Sequence, residues 1–175
     1  VAQVYRTQSI SPEIHTLQVK LNGNDNFIPI LKLNSGDNIN INFDRISDES
    51  YNRLRYRIIH CDAFWQPSKN ISTIDYLNGF NDNLIDWYDF SVNTTVEYVH
   101  FAISIPNSEV SLKISGNYAV EVYDEDTPDE VLLTACFSVS DPLLSVGATV
   151  SSNTDIDSNR THQQLSFTLH HQNMN

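Results

Sequence analysis

Apolar and polar side chains alternate with a period of two in several short runs of this 175-residue chain. Neighbouring side chains of a β-strand point to opposite faces of a sheet, so each run would bury one face and leave the other in water. The clearest runs are residues 38–43, 99–105, 118–122, 133–139 and 165–169. No segment has a convincing helical apolar period, and the pattern therefore predicts an all-β chain of about eight to ten strands.

Residues that favour tight turns separate these runs. Asn22-Gly23, Asn78-Gly79 and residues 115–117 tolerate positive φ or cap turns, which predicts an antiparallel sandwich rather than alternating strands and helices. The order Gly-x-Tyr-x-Val around Tyr118 resembles the Gly-x-Tyr-x-Cys strand of immunoglobulin-like domains, in which the tyrosine hydroxyl bonds back to the backbone. We therefore predict an antiparallel immunoglobulin-like β-sandwich over residues 1–140.

Asp141-Pro142 follows the alternating run 133–139 and is the expected boundary of this first domain. Residues 144–151 and 163–170 then continue as further predicted strands. We expect residues 141–175 to be the start of a following β segment or second domain that this chain does not complete.

The charge balance disfavours nucleic acid as a partner. The chain carries 22 acidic and 10 basic residues, a formal net charge of -12, and such a surface repels phosphate backbones. No apolar run reaches about 18 residues, so no transmembrane helix is expected.

Residues 62–95 break the alternation and are rich in aromatic side chains. Ordered loops of this length are usually functional or packed by their own side chains. We interpret the segment as an aromatic-rich insertion on the sandwich, which either seals one end of the core or binds a partner. The candidate partner-binding residues are Trp65, Tyr76, Phe80, Trp87 and Tyr88.

The triplet His60-Cys61-Asp62 contains the side chains of a cysteine hydrolase. On a strand, however, His60 and Cys61 point to opposite faces, so we interpret Cys61 as a structural thiol and expect no enzyme. A disulfide from Cys61 to Cys136 is disfavoured, because Cys136 alternates with Ala135 and Phe137 and should face away from their core.

Neither a metal nor a cofactor is expected. The six histidines are scattered, and none forms an i,i+4 pair. Residues 155–159 match the opening of a calcium loop, but Arg160 stands where that loop needs glycine and Ser166 where it needs a bidentate carboxylate. We interpret this segment and the acidic residues 124–130 as solvated loops.

Arg53, Arg55 and Arg57 alternate along another predicted strand and share one of its faces. They could bind an anion or a partner. We favour a solvated face paired with acidic cross-strand neighbours such as Glu97 or Glu121.

Several segments, taken in order across roughly residues 40–170, resemble the N-terminal domain of the plug protein of the type 9 secretion system. The segments that carry the resemblance are 56–62 with Trp65, 76–80, 91–95, 98–101, 105–107, 115–118, 122–123, 154–157 and 162–164. None of them is catalytic, so the resemblance carries no active site to this chain.

The resemblance implies a periplasmic, non-enzymatic protein that blocks the periplasmic opening of an outer-membrane secretion translocon, which would be its protein partner. An envelope carbohydrate-binding or adhesion sandwich remains the alternative, with aromatic rings that stack on sugars. Coplanar exposed rings among Trp65, Trp87 and Tyr88 would favour that alternative.

Overall fold

A computed structural model of the chain describes residues 3–46, 53–92, 94–142, 144–152 and 163–171. These residues form one short helix, Thr73–Tyr76 (α1), and fourteen strands. The strands are Gln8–Ser9 (β1), Ile14–Leu21 (β2), Ile30–Lys32 (β3), Ile39–Arg45 (β4), Leu54–Cys61 (β5), Leu77–Gly79 (β6), Asn83–Leu84 (β7), Trp87–Phe90 (β8), Val99–Ile105 (β9), Val110–Leu112 (β10), Gly116–Asp124 (β11), Thr127–Ser140 (β12), Leu144–Ser151 (β13) and Gln164–His171 (β14). The prediction of an all-β chain is confirmed. The strands outnumber those predicted because several are too short to show an alternating pattern.

Two mainly antiparallel sheets contain most of these strands. The first has the order β2-β4-β9-β8, and the second has the order β1-β12-β11-β5-β7, with β3 pairing in parallel with β12. Burial alternates along β4, where Ile39, Ile41 and Phe43 are buried while the residues between them are partly exposed. The period of two in the sequence is thus the alternation between the buried and the outward face of each sheet.

Both sheets contribute their apolar faces to one buried cluster. Phe43 of the first sheet stacks on Phe101 with ring centroids 5.3 Å apart. Tyr118 of the second sheet stacks on Phe137 with centroids 5.7 Å apart. Other fully buried members from the two sheets include Ile39, Ile41, Ile58, Ile105, Val120, Val122 and Leu133. Removal of this apolar surface from water is the main stabilising contribution to the fold.

The start of β11 is fixed by two close approaches. The Tyr118 hydroxyl donates a hydrogen bond to the Ile114 carbonyl oxygen at 2.7 Å, which confirms the predicted bond back to the backbone. Gly116 has φ of +143°, and a Cβ there would lie 2.3 Å from Nε2 of His60. Glycine is therefore required, because a side chain would collide with the imidazole ring and strain the backbone.

Residues 62–95 are part of both sheets. They include α1 and the strands β6, β7 and β8. β7 pairs with β5 in the second sheet, and β8 pairs with β9 in the first. The segment therefore supplies an edge strand to each sheet, which its irregular sequence pattern does not indicate.

Contacts divide the chain into two units, Val1–Ser140 and Asp141–Asn175. The second unit contains the antiparallel hairpin β13–β14, in which Val146 lies opposite Leu169, Ala148 opposite Phe167 and Val150 opposite Leu165. One face of the hairpin therefore carries its apolar side chains, and these side chains are exposed.

Candidate partner-binding surface

Two of the five candidate partner-binding residues pack within the protein. Tyr76 is buried in the core, and its hydroxyl donates a hydrogen bond to the Ile58 carbonyl oxygen at 3.0 Å. Trp65 is half-buried against a small apolar cluster of Tyr5, Cys61 and Ala119 on the outward face of the second sheet. Tyr76 is therefore a core residue, and it does not belong to a partner-binding surface.

The other three candidates are exposed. Phe80 is 85% exposed, Trp87 is 55% exposed and Tyr88 is 46% exposed. Trp87 and Tyr88 are neighbours on β8, the last strand of the first sheet among the described residues. These two are the candidates that the structure brings together, whereas Phe80 lies between β6 and β7.

The two rings on β8 point to opposite faces of the sheet. Trp87 contacts His100 edge-on at 5.8 Å between centroids, on the outward face. Tyr88 lies 6.1 Å from the buried ring of Phe101, on the core face. Trp87 and Tyr88 therefore do not form a coplanar platform, and the ring arrangement that would favour sugar stacking is not found at this pair.

Sequence reasoning missed further apolar residues beside Trp87 and Tyr88. Phe90 is exposed and contacts Tyr88 edge-on at 5.6 Å. The turn that follows presents three more exposed apolar side chains, Val92, Val96 and Tyr98. We call Trp87, Tyr88, Phe90, Val92, Val96 and Tyr98 together the β8 surface. The sequence signal for them is a cluster of apolar residues from 87 to 98, in which Phe90 and Val92 belong to the segment 62–95 and Val96 and Tyr98 follow it.

The β8 surface lies in a stretch of chain without lysine or arginine. None occurs between Lys69 and Lys113. Asp86 and Asp89 are exposed, and they form no ion pair with any lysine, arginine or histidine among the described residues. An exposed apolar edge with uncompensated negative charge favours a partner that is apolar and basic.

The second sheet carries the opposite arrangement, in which charges are paired with one another. Arg57 donates a hydrogen bond from Nε to Oε2 of Glu121 at 2.5 Å, which confirms Glu121 as its partner. Arg55 bonds Asp82 at 2.6 Å and Glu125 at 2.9 Å. Two further groups complete the network: Arg53, which pairs with Glu125 at 3.1 Å, and the Tyr123 hydroxyl, which donates to Asp82 at 2.6 Å. Neighbouring carboxylates therefore neutralise the positive charges of the three arginines, as the favoured interpretation predicts.

His60 and Cys61 point to opposite faces of β5, as predicted from their positions on one strand. The His60 ring lies on the core side, where Nδ1 is 2.8 Å from Ser68 Oγ and the ring contacts Tyr118 edge-on. Cys61 belongs to the outward cluster with Ala119. Burial raises the pKa of the Cys61 thiol to about 12, so the reactive thiolate is scarce at neutral pH.

The two cysteines are free thiols. Cys61 lies opposite Asn117 and Cys136 lies opposite Ala119, on the two sides of β11. A whole strand therefore separates them, which places their Cα atoms about 10 Å apart and beyond the reach of a disulfide. Cys136 faces away from the core of Ala135 and Phe137, as its alternation predicts.

No group of three or more potential metal ligands occurs among the described residues. Residues 155–159 lie outside the described residues. In the other acidic segment, Asp124 bonds Arg45 at 3.0 Å and Glu125 bonds Arg53 and Arg55. The described part of the chain contains no helix with the length and apolar character needed to cross a membrane.

Two apposed, mainly antiparallel sheets and an exposed aromatic edge strand define an all-β domain. The chain belongs to the family described as the type 9 secretion system plug protein 1st domain, whose model matches residues 14–141.

Among solved structures, the chain is similar to a hypothetical protein from Parabacteroides merdae ATCC 43184, with 43% identity and a TM-score of 0.82. The match covers 98% of this chain and 43% of the length of that protein. The similarity supports the same fold over this part of a longer relative.

Two other structural matches are much weaker. A Niemann-Pick type C2 protein from the Japanese carpenter ant is 9% identical, with a TM-score of 0.41 over 77% of this chain and 98% of that one. Pseudomonas fluorescens alkylpurine DNA glycosylase AlkC is 13% identical, with a TM-score of 0.36 over 73% of this chain and 30% of that one. Both are too distant to bear on fold or function. A search of curated proteins found no match to this chain.

Proposed function

We propose that this chain is a non-enzymatic binding module of a plug-like component of the type 9 secretion system, and that it docks on the periplasmic side of the outer-membrane translocon. The observation that carries the proposal is the family match over residues 14–141. A plug must hold a protein partner, and the partner in this proposal is the translocon itself. The cell compartment in the proposal, the periplasm, follows from the same family.

The β8 surface is the proposed contact region. Its rings are the types enriched at the centres of interfaces, where large side chains give the most binding energy. Trp87 and Tyr88 remain in the proposed site, with Phe90 added beside them. Phe80 and Trp65 remain separate candidates outside the β8 surface, because Phe80 lies between β6 and β7 and Trp65 packs on the outward face of the second sheet.

We also propose that residues 1–140 are an immunoglobulin-like sandwich. The supporting observation is the Tyr118 hydroxyl, which donates to the Ile114 carbonyl oxygen at the start of β11, because the tyrosine corner of such domains makes a similar bond back to the backbone. Residues 141–175 would open a second β domain. An isolated two-stranded hairpin is marginally stable at best, so the exposed apolar face of β13–β14 needs a cover.

The experiment that tests the proposal is capture of the purified outer-membrane translocon by the immobilised chain. Trp87→Ala should weaken capture, because it removes the largest ring of the β8 surface. Its free energy of unfolding should change by no more than about 1 kcal/mol, since the ring is more than half exposed.

Phe64→Ala is the control, because Phe64 is a still more exposed ring of the same segment, at 76% against 55% for Trp87, and lies outside the β8 surface. It should leave capture unchanged. If Trp87→Ala unfolds the domain, or if both substitutions leave capture intact, the contact region is wrong. If a plug protein that lacks residues 1–140 still occupies the translocon normally, the docking role itself is wrong.

A further inference from the structure

The free edge of β8 combines exposed rings with backbone groups that no described residue satisfies. Most native sheets protect an edge strand with lysine, proline or a covering segment, because an open edge pairs with other chains. β8 contains neither lysine nor proline, its one charged residue is Asp89, and all four of its residues are exposed. An edge strand with three exposed rings and one charge can accept a further strand.

The register with β9 identifies the backbone groups that face outward. The Ser91 amide donates to the Tyr98 carbonyl oxygen at 2.9 Å, so residues 91 and 98 form a hydrogen-bonded pair. Such pairs alternate along an antiparallel ladder, so Asp89 and Trp87 also bond toward β9. The amide and carbonyl groups of Tyr88 and Phe90 therefore point away from the sheet.

The side chains at the same edge indicate which types of residue an added strand would need on each face. Tyr88 and Phe90 lie on the core face and would contact apolar side chains of the new strand. Asp89 lies on the outward face, and Asp86 precedes the strand, with no lysine or arginine anywhere from residue 70 to residue 112. Alternating apolar and basic residues would satisfy both faces at once.

We propose that β8 is an acceptor for an extended segment of a protein partner, which pairs with the backbone of Tyr88 and Phe90 and has apolar residues alternating with lysine or arginine. This inference rests on the proposed function and specifies how the docking occurs. The partner segment becomes a fifth strand of the first sheet. Its basic side chains share the outward face with Asp89, and its apolar side chains cover the rings of Tyr88 and Phe90.

A fluorescein-labelled peptide of sequence Val-Lys-Val-Lys-Val tests this pairing by fluorescence anisotropy against the full chain. We expect saturable binding that weakens when valine alternates with glutamate instead, because Asp89 on the outward face of β8 repels the glutamate side chains. A lysine peptide with N-methylated backbone amides keeps its side chains but cannot donate to β8, so it should bind at least about tenfold more weakly. Equal binding by the N-methylated or the glutamate peptide would overturn the proposal.

On the protein side, Phe90→Pro removes an amide that points away from β9 and so leaves the β8–β9 ladder intact. Phe90→Ala is its control, because it removes the same ring and keeps the amide. We expect Phe90→Pro to bind the lysine peptide about tenfold more weakly than Phe90→Ala does. If the two variants bind equally, strand addition is wrong. A homodimer in sedimentation experiments that Phe90→Pro dissociates would also overturn the proposal, in favour of a second copy as the occupant.

Measurement of translocon capture distinguishes a failure of strand addition from a failure of the proposed docking function. If Trp87→Ala weakens capture while Phe90→Pro and Phe90→Ala capture equally, docking through the β8 surface stands and strand addition falls. If the lysine peptide binds as expected but neither Trp87→Ala nor Phe90→Pro alters capture, the acceptor edge exists and the assigned partner is wrong.

Discussion

β9 in residues 1–140 and β14 in the C-terminal hairpin have the same sequence pattern and opposite surroundings. In β9, Phe101, Ile103 and Ile105 alternate with outward residues and are at most 3% exposed. In β14, Leu165, Phe167 and Leu169 alternate just as regularly and are all more than half exposed. Alternation therefore specifies a strand with one apolar face. Whether that face is buried depends on a second sheet, which no local pattern encodes.

The largest expected effect on the free energy of unfolding comes from a substitution at the centre of the sandwich, where the apolar faces are buried. Phe43 is fully buried and stacks on Phe101, so Phe43→Ala should leave a cavity and lower the free energy of unfolding by about 3–5 kcal/mol. Urea unfolding followed by tryptophan fluorescence measures it, since both tryptophans lie in residues 1–140. A loss under about 1 kcal/mol would mean that the two sheets do not share this core.

The contrast between β9 and β14 also shows how much of the fold the sequence predicts. The alternation of side chains along β5 correctly predicted that His60 and Cys61 lie on opposite faces. The Gly-x-Tyr order correctly predicted the bond from Tyr118 to the backbone. Parity also placed the arginines of β5 beside acidic neighbours such as Glu121. Each of these predictions depends on residues close together in sequence or on alternation within one strand.

The prediction of the candidate site was less complete, because its elements are short. β7 has two residues and β8 has four, too few to show a period, so residues 62–95 gave no sign that they extend both sheets. The aromatic character of Tyr76 suggests a binding residue, but α1 directs its side chain into the core. Composition identifies an aromatic-rich segment, whereas long-range pairing decides which rings remain exposed.

An intermediate effect is expected at alkaline pH, and it should be confined to the sandwich. Burial, reinforced by the nearby Cys136, raises the pKa of Cys61 from 9.0 to about 12, and burial raises that of Tyr123 to about 12. The folded chain therefore holds these protons at pH values where the unfolded chain releases them. The free energy of unfolding should fall as pH rises above 9, by at most about 1.4 kcal/mol per pH unit for each group that titrates in this way.

Urea unfolding between pH 8 and pH 11 measures this loss, and Cys61→Ala should make the pH dependence shallower. The hairpin contributes nothing to it, because residues 141–175 contain neither tyrosine nor cysteine. A stability that is constant or rises over this range would contradict the burial of these groups in the folded state.

The smallest effect on stability is expected from a substitution in the hairpin β13–β14. This substitution is the most direct test of the difference between β9 and β14. Phe167 is 66% exposed on the apolar face of β13–β14. Phe167→Ser should therefore change the free energy of unfolding of residues 1–140 by less than about 0.5 kcal/mol, against several for Phe43→Ala. It should instead reduce binding of the dye ANS and raise solubility, because an exposed apolar face attracts dyes and other chains.

Thr168→Ser is the control for Phe167→Ser, since Thr168 is the next residue and lies on the other face of the same strand. It should alter neither dye binding nor solubility. A loss of several kcal/mol from Phe167→Ser would mean that this ring is covered in the folded chain, and the contrast between β9 and β14 would then disappear. An unchanged stability with reduced dye binding would support an apolar hairpin face that stays exposed in the folded chain, and the contrast between β9 and β14 would stand.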